Sequence, residues 1–149
     1  MKDRIFVIDG SSYLYRAYHA MPPLSTSSGQ PTGAVKGVTN MLMNLKKDSE
    51  GSSIIVVFDA KGKTFRSDIY SEYKANRPPM PDELRDQLLP VKSICRAIGF
   101  PLIEIDGVEA DDVIATIAKM AKDANYRCVI SSLDKDLMQL VEDPHTTLM

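Results

Sequence analysis

The chain has 149 residues, of which 44% are hydrophobic and 26% charged, and its formal net charge is −2. This composition is typical of a soluble globular domain and argues against a disordered or strongly basic protein, and the length suits one domain with an ordinary core. Cys95 and Cys128 are too few for a disulfide framework or a zinc site. No apolar run is long enough to span a membrane, and the N-terminus has no signal-peptide pattern. We therefore expect a reduced, cytoplasmic, monomeric protein.

Short apolar runs alternate with helical patterns along the chain. Strands are predicted at 4–9, 53–59, 102–105, 127–131 and 146–149, and helices at 13–19, 33–47, 81–98, 109–123 and 134–141. Because the strands are continuous apolar runs, they predict an α/β fold with a parallel twisted sheet and helices on both faces. Residues 61–81 have no core-facing period. A hydroxyl of Ser11 or Ser12 is expected to cap the first helix, and Pro90 to disturb the third.

An acidic residue closes three of the predicted strands. Asp9 ends the first, Asp59 ends the second, and Asp134 and Asp136 follow the run at 127–131. In parallel sheets, ligands bind in the crevice beyond the carboxyl ends of the strands. These four side chains are therefore expected at one edge of the sheet.

Three further acids open the predicted helix at 109–123, namely Glu109, Asp111 and Asp112. Taken alone, they could be ordinary first-turn acids, because a helix N-terminus carries a partial positive charge. Since that helix leaves the same edge of the sheet, the topology predicts that all seven carboxylates share one rim.

Seven neighbouring carboxylates repel one another unless protons, bases or metal ions neutralise them. His19 and His145 are isolated in the sequence, so oxygen ligands dominate the rim and favour Mg²⁺ or Mn²⁺ over zinc. Two such ions can activate a water molecule and stabilise the leaving oxygen of a phosphodiester. The rim therefore predicts metal-dependent phosphodiester hydrolysis.

Basic and aromatic residues are interleaved between positions 61 and 77. This pattern suits contact with a nucleic-acid backbone, although a solvated surface helix with amphipathic tyrosines would have the same composition. The residues of the segment expected to bind substrate are Lys61, Phe65, Arg66, Tyr73, Lys74 and Arg77.

Five motifs carry a resemblance to a known family: VIDGSSYLYRA at 7–17, VFDAKGKTFR at 57–66, YKANRPPMP at 73–81, GVEADDVI at 107–114 and DKD at 134–136. Together they resemble the flap endonuclease and 5′–3′ exonuclease family, and within it the 5′ nuclease domains of bacterial DNA polymerase I. The resemblance spans essentially the whole chain. It implies a PIN-like core with a helical arch at about residues 61–81.

The resemblance also implies a role for each acid of the rim. Asp9, Asp59, Glu109 and Asp111 would hold a first metal ion with Asp112 nearby, whereas Asp134 and Asp136 would serve a second ion and bridge to the first. Lys74 and Arg77 match the arch pair that contacts the scissile phosphate. Tyr15 matches an aromatic position near the terminal base of the substrate.

The function implied is a Mg²⁺- or Mn²⁺-dependent 5′–3′ exonuclease or 5′-flap endonuclease acting on DNA in replication and repair, with a polymerase domain possible in the native chain. The 149 residues contain neither the family's Gly-Asp-x-x-Asp segment nor its helix-three-turn-helix, so we expect the N-terminal part of a catalytic domain. Leu133 replaces the usual glycine before the DKD motif. Two alternatives stay open: a fragment that binds metal and DNA but hydrolyses little, and a PIN-like ribonuclease.

Overall fold

A computed structural model of the chain describes residues 3–49, 51–60 and 80–149. Its core is a five-stranded sheet in the order β3-β2-β1-β4-β5, in which every neighbouring pair is parallel. The elements in chain order are β1 (Arg4–Asp9), α1 (Gly10–Ala20), α2 (Gly33–Asp48), β2 (Ser53–Val57), α3 (Asp82–Ile98), β3 (Leu102–Ile103), α4 (Ala110–Asp123), β4 (Arg127–Ser131), a 3₁₀-helix (Lys135–Leu140) and β5 (Thr146–Leu148). The predicted parallel α/β architecture is confirmed.

The sheet buries a hydrophobic cluster on each face. Side chains alternate along a strand, so Phe6 and Ile8 of β1 pack with helices α1, α2 and α3, whereas Val7 packs with α4. Both clusters are completed by apolar residues of β2 and β4. This burial on two faces explains why the strands read as continuous apolar runs, and it aligns the carboxyl ends of β1, β2 and β4.

Four local predictions were wrong. The segment predicted as a helix at 134–141 forms a 3₁₀-helix, and β3 pairs over two residues only. Helix α3 continues through Pro90, which is tolerated because tertiary packing outweighs one missing hydrogen bond. Helix α1 begins at Gly10, and its cap is Asp9, whose carboxylate accepts a hydrogen bond from the backbone N–H of Ser12 at 3.2 Å. An acid at the end of β1 therefore takes the capping role expected of a serine hydroxyl.

A buried lysine connects α3 to the strands that carry the acidic edge. The Lys92 ammonium forms an ion pair with Glu104 at 2.5 Å and lies 5.5 Å from the ring centre of Phe58. Phe58 is fully buried, and its backbone N–H donates to the carbonyl of Ile103. These contacts hold the residue that immediately precedes Asp59.

No helix in the described part of the chain is long and apolar enough to cross a membrane. The segment predicted as an arch, residues 61–81, lies outside the described residues except for its last two positions.

Candidate active site

A cavity of about 690 Å³ lies where β1, β2 and β4 end. Five carboxylates line it, those of Asp9, Asp59, Glu109, Asp111 and Asp134. The helix α1 side contributes Ser11, Ser12, Tyr15, Arg16 and His19. Five of the seven acids predicted to share a rim are therefore brought to one cavity by the strand ends and the start of α4.

Asp9 is the most deeply buried of these acids, with 5% of its surface exposed. It caps α1 through the Ser12 N–H and accepts a hydrogen bond of 2.7 Å from the hydroxyl of Ser132. Burial raises the pKa of the Asp9 carboxyl, the two hydrogen bonds oppose that rise, and the charges of Asp59 and Asp134 add to it. The protein therefore holds Asp9 in a fixed orientation in which its negative charge is poorly solvated.

Asp59 links β2 to helix α4. Its Oδ1 accepts a hydrogen bond of 2.7 Å from the N–H of Ala110, the first residue of α4, and its Oδ2 accepts one of 3.2 Å from the Ser11 hydroxyl. The N–H of Ala110 is one of the donors that a helix leaves free at its N-terminus. Asp59 thus fixes the start of α4, and with it Glu109 and Asp111, relative to the sheet.

Asp111 lies close enough to Asp134 for the two carboxyl groups to interact, and a hydrogen bond between them would form when one of them is protonated. Burial, the charges of Asp134 and Asp9, this hydrogen bond and the charge of Asp59 together raise the pKa of Asp111 to about 7. Asp134 in turn caps the 3₁₀-helix by accepting from the Asp136 N–H at 2.9 Å. Asp111 is therefore an acid at which burial and the repulsion of neighbouring carboxylates favour the protonated form near neutral pH.

A second cavity, of about 470 Å³, adjoins the first through Glu109 and Asp111, which line both. Asp112 and Asp136 lie in this second cavity. Glu109 is 6% exposed and stands between the two groups of acids. The seven predicted acids thus occupy two adjoining cavities rather than a single crevice.

The donor chemistry of these cavities suits a hard divalent cation. Oxygen ligands dominate, and Asp111, whose raised pKa favours a bound proton near neutral pH, would release that proton to a cation. Within the described residues, no three acidic, histidine or cysteine side chains are already arranged as a metal-binding cluster. The carboxylates of Asp9, Asp59 and Asp134 accept hydrogen bonds from protein groups.

The sequence analysis missed the serines that organise the acids. The Ser132 hydroxyl donates to Asp9 and accepts from the Asp134 N–H at 3.0 Å, and the Ser12 hydroxyl accepts from the Leu133 N–H at 2.8 Å. Each serine joins the start of α1 to the loop after β4. The only signal in the sequence is that a hydroxyl residue stands within three positions of each of these aspartates.

Tyr15 lines the cavity, half-exposed and stacked on His19 with ring centres 6.5 Å apart. Its contact with a substrate base stays a prediction. Arg16, to which no role was assigned from the sequence, also lines the cavity. So does His19, and its interpretation as a histidine isolated from the acids was therefore wrong. The remaining predicted substrate-binding residues lie outside the described residues: Lys61, Phe65, Arg66, Tyr73, Lys74 and Arg77.

The fold and the acidic edge define a parallel α/β domain with a candidate cation site at the carboxyl ends of its strands. Residues 4–149 match the family described as 5′-3′ exonuclease, N-terminal resolvase-like domain. The chain belongs to this family.

Proteins with similar sequences agree with this assignment. DNA polymerase I of Pseudomonas aeruginosa is 58% identical over 145 residues, which are 97% of this chain and 16% of that protein. A 5′-3′ exonuclease of Aquifex aeolicus is 46% identical over 139 residues, which are 93% of this chain and 48% of that protein. The chain thus spans less than half of the length of either relative.

Solved structures have the same fold. The T5 5′-exonuclease with zinc ions bound superimposes with a TM-score of 0.78 at 24% identity, covering 98% of this chain and 54% of that chain. The T5 flap endonuclease in a complex with DNA and metal ions superimposes with a TM-score of 0.68 at 23% identity, covering 98% of this chain and 54% of that chain.

Proposed function

We propose that the chain is the metal-binding part of a 5′–3′ exonuclease or 5′-flap endonuclease that hydrolyses DNA phosphodiesters. The observation that carries the proposal is the convergence of five carboxylates on one cavity, where burial and neighbouring charges raise the pKa of Asp111 to about 7. The name of the Aquifex relative, a 5′-3′ exonuclease, and the metal ions and DNA in the T5 structures support it.

In this proposal Asp9, Asp59, Glu109 and Asp111 would hold one Mg²⁺ or Mn²⁺ ion, with Asp112 beside them. Asp134 and Asp136 would contribute to a second ion. The two ions would supply activation of water and stabilisation of the leaving oxygen. The chain itself fixes Asp9 through Ser132 and Asp59 through Ala110. Asp111, whose pKa is raised to about 7, would lose its proton when a cation binds.

The substrate would be positioned by groups around the cavity. Lys74 and Arg77 would contact the scissile phosphate, and Tyr15 would lie against a terminal base. The other substrate contacts proposed are Lys61, Phe65, Arg66 and Tyr73. Because a phosphate between metal ions and cationic side chains is held in one orientation, positioning would lower the barrier as well as strengthen binding.

We also infer that these residues form the N-terminal part of a catalytic domain, in a protein that carries further residues for the second ion and for gripping duplex DNA. A linked polymerase domain is supported by the Pseudomonas relative, of which this chain matches 16%. On this account the 149 residues bind metal but cleave slowly by themselves.

The test is hydrolysis of a labelled 5′-flap DNA in Mg²⁺ or Mn²⁺ by this chain and by a chain extended past Met149, each with an Asp9→Asn control. We expect slow cleavage by the chain, much faster cleavage by the extended form, and none by either control. Equal turnover by the two forms would show that the assignment of the second ion is wrong. Preferential cleavage of an RNA flap would favour the ribonuclease alternative, and metal-dependent binding without cleavage by either form would favour a binding protein.

A further inference from the structure

Leu133 is an apolar residue at the edge of an acidic cavity. Its side chain lines the cavity that contains Asp9 and Asp134, yet it is 58% exposed. An exposed leucine beside charged groups contributes nothing to the hydrophobic core, and a substitution by a polar residue would be expected to cost the fold little. Unlike a leucine on an open surface, Leu133 is therefore available to contact a molecule that enters this cavity.

The backbone at Leu133 is held firmly. The Leu133 N–H donates to the Ser12 hydroxyl at 2.8 Å, and the next N–H, of Asp134, donates to the Ser132 hydroxyl at 3.0 Å. Among the described non-glycine residues only Asn125 has a positive φ. Leucine thus replaces the family's usual glycine without backbone strain. The two hydrogen bonds fix the backbone from which the Leu133 side chain extends.

Tyr15 is the natural neighbour of this side chain. Ser12, which binds the Leu133 amide, precedes Tyr15 by three residues on α1, and residues three apart lie on the same face of a helix. Tyr15 lines the same cavity and is itself 38% exposed. The aliphatic side chain of Leu133 and the aromatic ring of Tyr15 therefore border the same acidic cavity. The hydrogen bond from the Leu133 N–H to the Ser12 hydroxyl joins the loop after β4 to helix α1.

We propose that Leu133 is a substrate-contact residue, which together with Tyr15 holds the nucleobase next to the phosphate bound at the acids. The inference rests on the proposed function, because it takes the ligand to be a DNA strand. A leucine side chain has no hydrogen-bond donor or acceptor, so it would contact the flat apolar face of the base. Such a contact does not distinguish one base from another. It would add affinity at one nucleotide with no sequence preference.

The test compares Leu133→Ala and Leu133→Met with the parent protein and with Met138→Ala. Met138 is 60% exposed and lines neither acidic cavity, so it controls for loss of an exposed apolar side chain. Binding of a fluorescent 5′-flap DNA is measured in Ca²⁺, which takes oxygen ligands. One substrate is intact, and the other is abasic at the nucleotide adjoining the scissile phosphate. Melting temperature against Mg²⁺ concentration is recorded for each variant.

We expect Leu133→Ala to weaken binding of intact DNA by about fivefold to tenfold, which matches burial of part of a leucine side chain. Leu133→Met and Met138→Ala should bind like the parent, and on abasic DNA the Leu133→Ala loss should disappear. All variants should keep the Mg²⁺-induced shift in melting temperature, which excludes indirect damage to the acids.

Parent-like binding of intact DNA by Leu133→Ala, or an equal loss on abasic DNA, would overturn the inference while leaving the proposed function in place. If neither this chain nor the chain extended past Met149 bound flap DNA although Mg²⁺ raised the melting temperature of both, the proposed nuclease function would fail, and the inference would fail with it.

Discussion

Asp111 combines burial with three acidic neighbours, and its pKa of about 7 lies well above the ordinary value of 3.8. The folded protein therefore binds a proton more tightly at this site than the unfolded chain does. Through linkage, the stabilisation from that proton is fully present below about pH 4 and is lost as the pH rises through about 7. Divalent cations must displace the same proton, so their affinity should fall as the pH drops below about 7.

The variant Asp111→Asn tests this linkage. Without divalent metal at pH 8, we expect the variant to be more stable than the parent by about 1–2 kcal/mol, less than the unscreened shift implies because Asp111 is only partly buried. The difference should shrink toward pH 4. Urea unfolding at several pH values measures it. Asp106→Asn, at an exposed loop residue that lines neither acidic cavity, should have no such effect; a matching pH dependence in that control would contradict the account.

Ser132 is the second residue at which the site can be tested. Removing its hydroxyl in Ser132→Ala takes a hydrogen bond from the Asp9 carboxylate and leaves the Asp134 N–H without its acceptor. The pKa of Asp9 should then rise further, and Mg²⁺ affinity should fall by about tenfold, as for other groups that orient metal ligands. Titration calorimetry measures the affinity. Ser132→Thr keeps the hydroxyl and should bind Mg²⁺ like the parent, so similar weakening in both variants would exclude this role.

At the scale of elements, the contact between α1 and β2 sets the spacing of Asp9 and Asp59. A Cβ at Gly10 would lie 2.7 Å from two ring atoms of Phe58, the residue before Asp59. A Cβ at Gly37 would be equally close to a neighbour, 2.7 Å from the Cβ of Ala17, but this contact lies between α1 and α2.

Gly10→Ala and Gly37→Ala therefore form a matched pair. Each should lose about 1–3 kcal/mol of stability through overpacking. Only Gly10→Ala should also reduce the Mg²⁺-induced rise in melting temperature, because only its clash displaces the chain leading to Asp59. Equal metal responses in the two variants would show that the α1–β2 contact does not set the geometry of the acids.

Much of the element order could be predicted because the two-sided burial of the sheet leaves a strong pattern. Val7 and Ile8 face opposite cores, so the run from Ile5 to Ile8 inside β1 contains no polar residue. The pattern of apolar residues could not predict the local hydrogen bonds at the ends of the helices. The 3₁₀-helix after Asp134 has the same residues as an ordinary helix start, and the capping of α1 by Asp9 depends on a turn that only the fold specifies.

At the scale of the whole molecule, the gathering of the acids could be predicted from topology, since parallel strands bring their carboxyl ends to one edge. The division of the acids between two cavities could not be predicted, because it depends on where the start of α4 and the 3₁₀-helix place Glu109, Asp112 and Asp136. The serine contacts were also out of reach, because Ser12 and Leu133 are 121 positions apart.

Lys74 and Arg77, outside the described residues, are predicted to serve the substrate and not the fold. Lys74→Ala and Arg77→Ala should each change stability by less than about 0.5 kcal/mol, as surface substitutions do. Each should weaken DNA binding and flatten its dependence on salt concentration, because one fewer counterion is released per lost phosphate contact. Fluorescence anisotropy over a salt series measures the slope, and a slope equal to that of the parent would remove the residue from the binding surface.

The central claim is that the acidic edge is a divalent-metal site, and the melting temperature as a function of Mg²⁺ concentration tests it most directly. A ligand at 100 times its Kd stabilises the native state by about 2.7 kcal/mol, which for a chain of this size should raise the melting temperature by about 5–10 °C. The double variant Asp9→Asn with Asp111→Asn should fold, because asparagine also caps helices, but should show no Mg²⁺-dependent rise. A parent protein that shows no rise at millimolar Mg²⁺, or a double variant that shows the parent's rise, would contradict the claim.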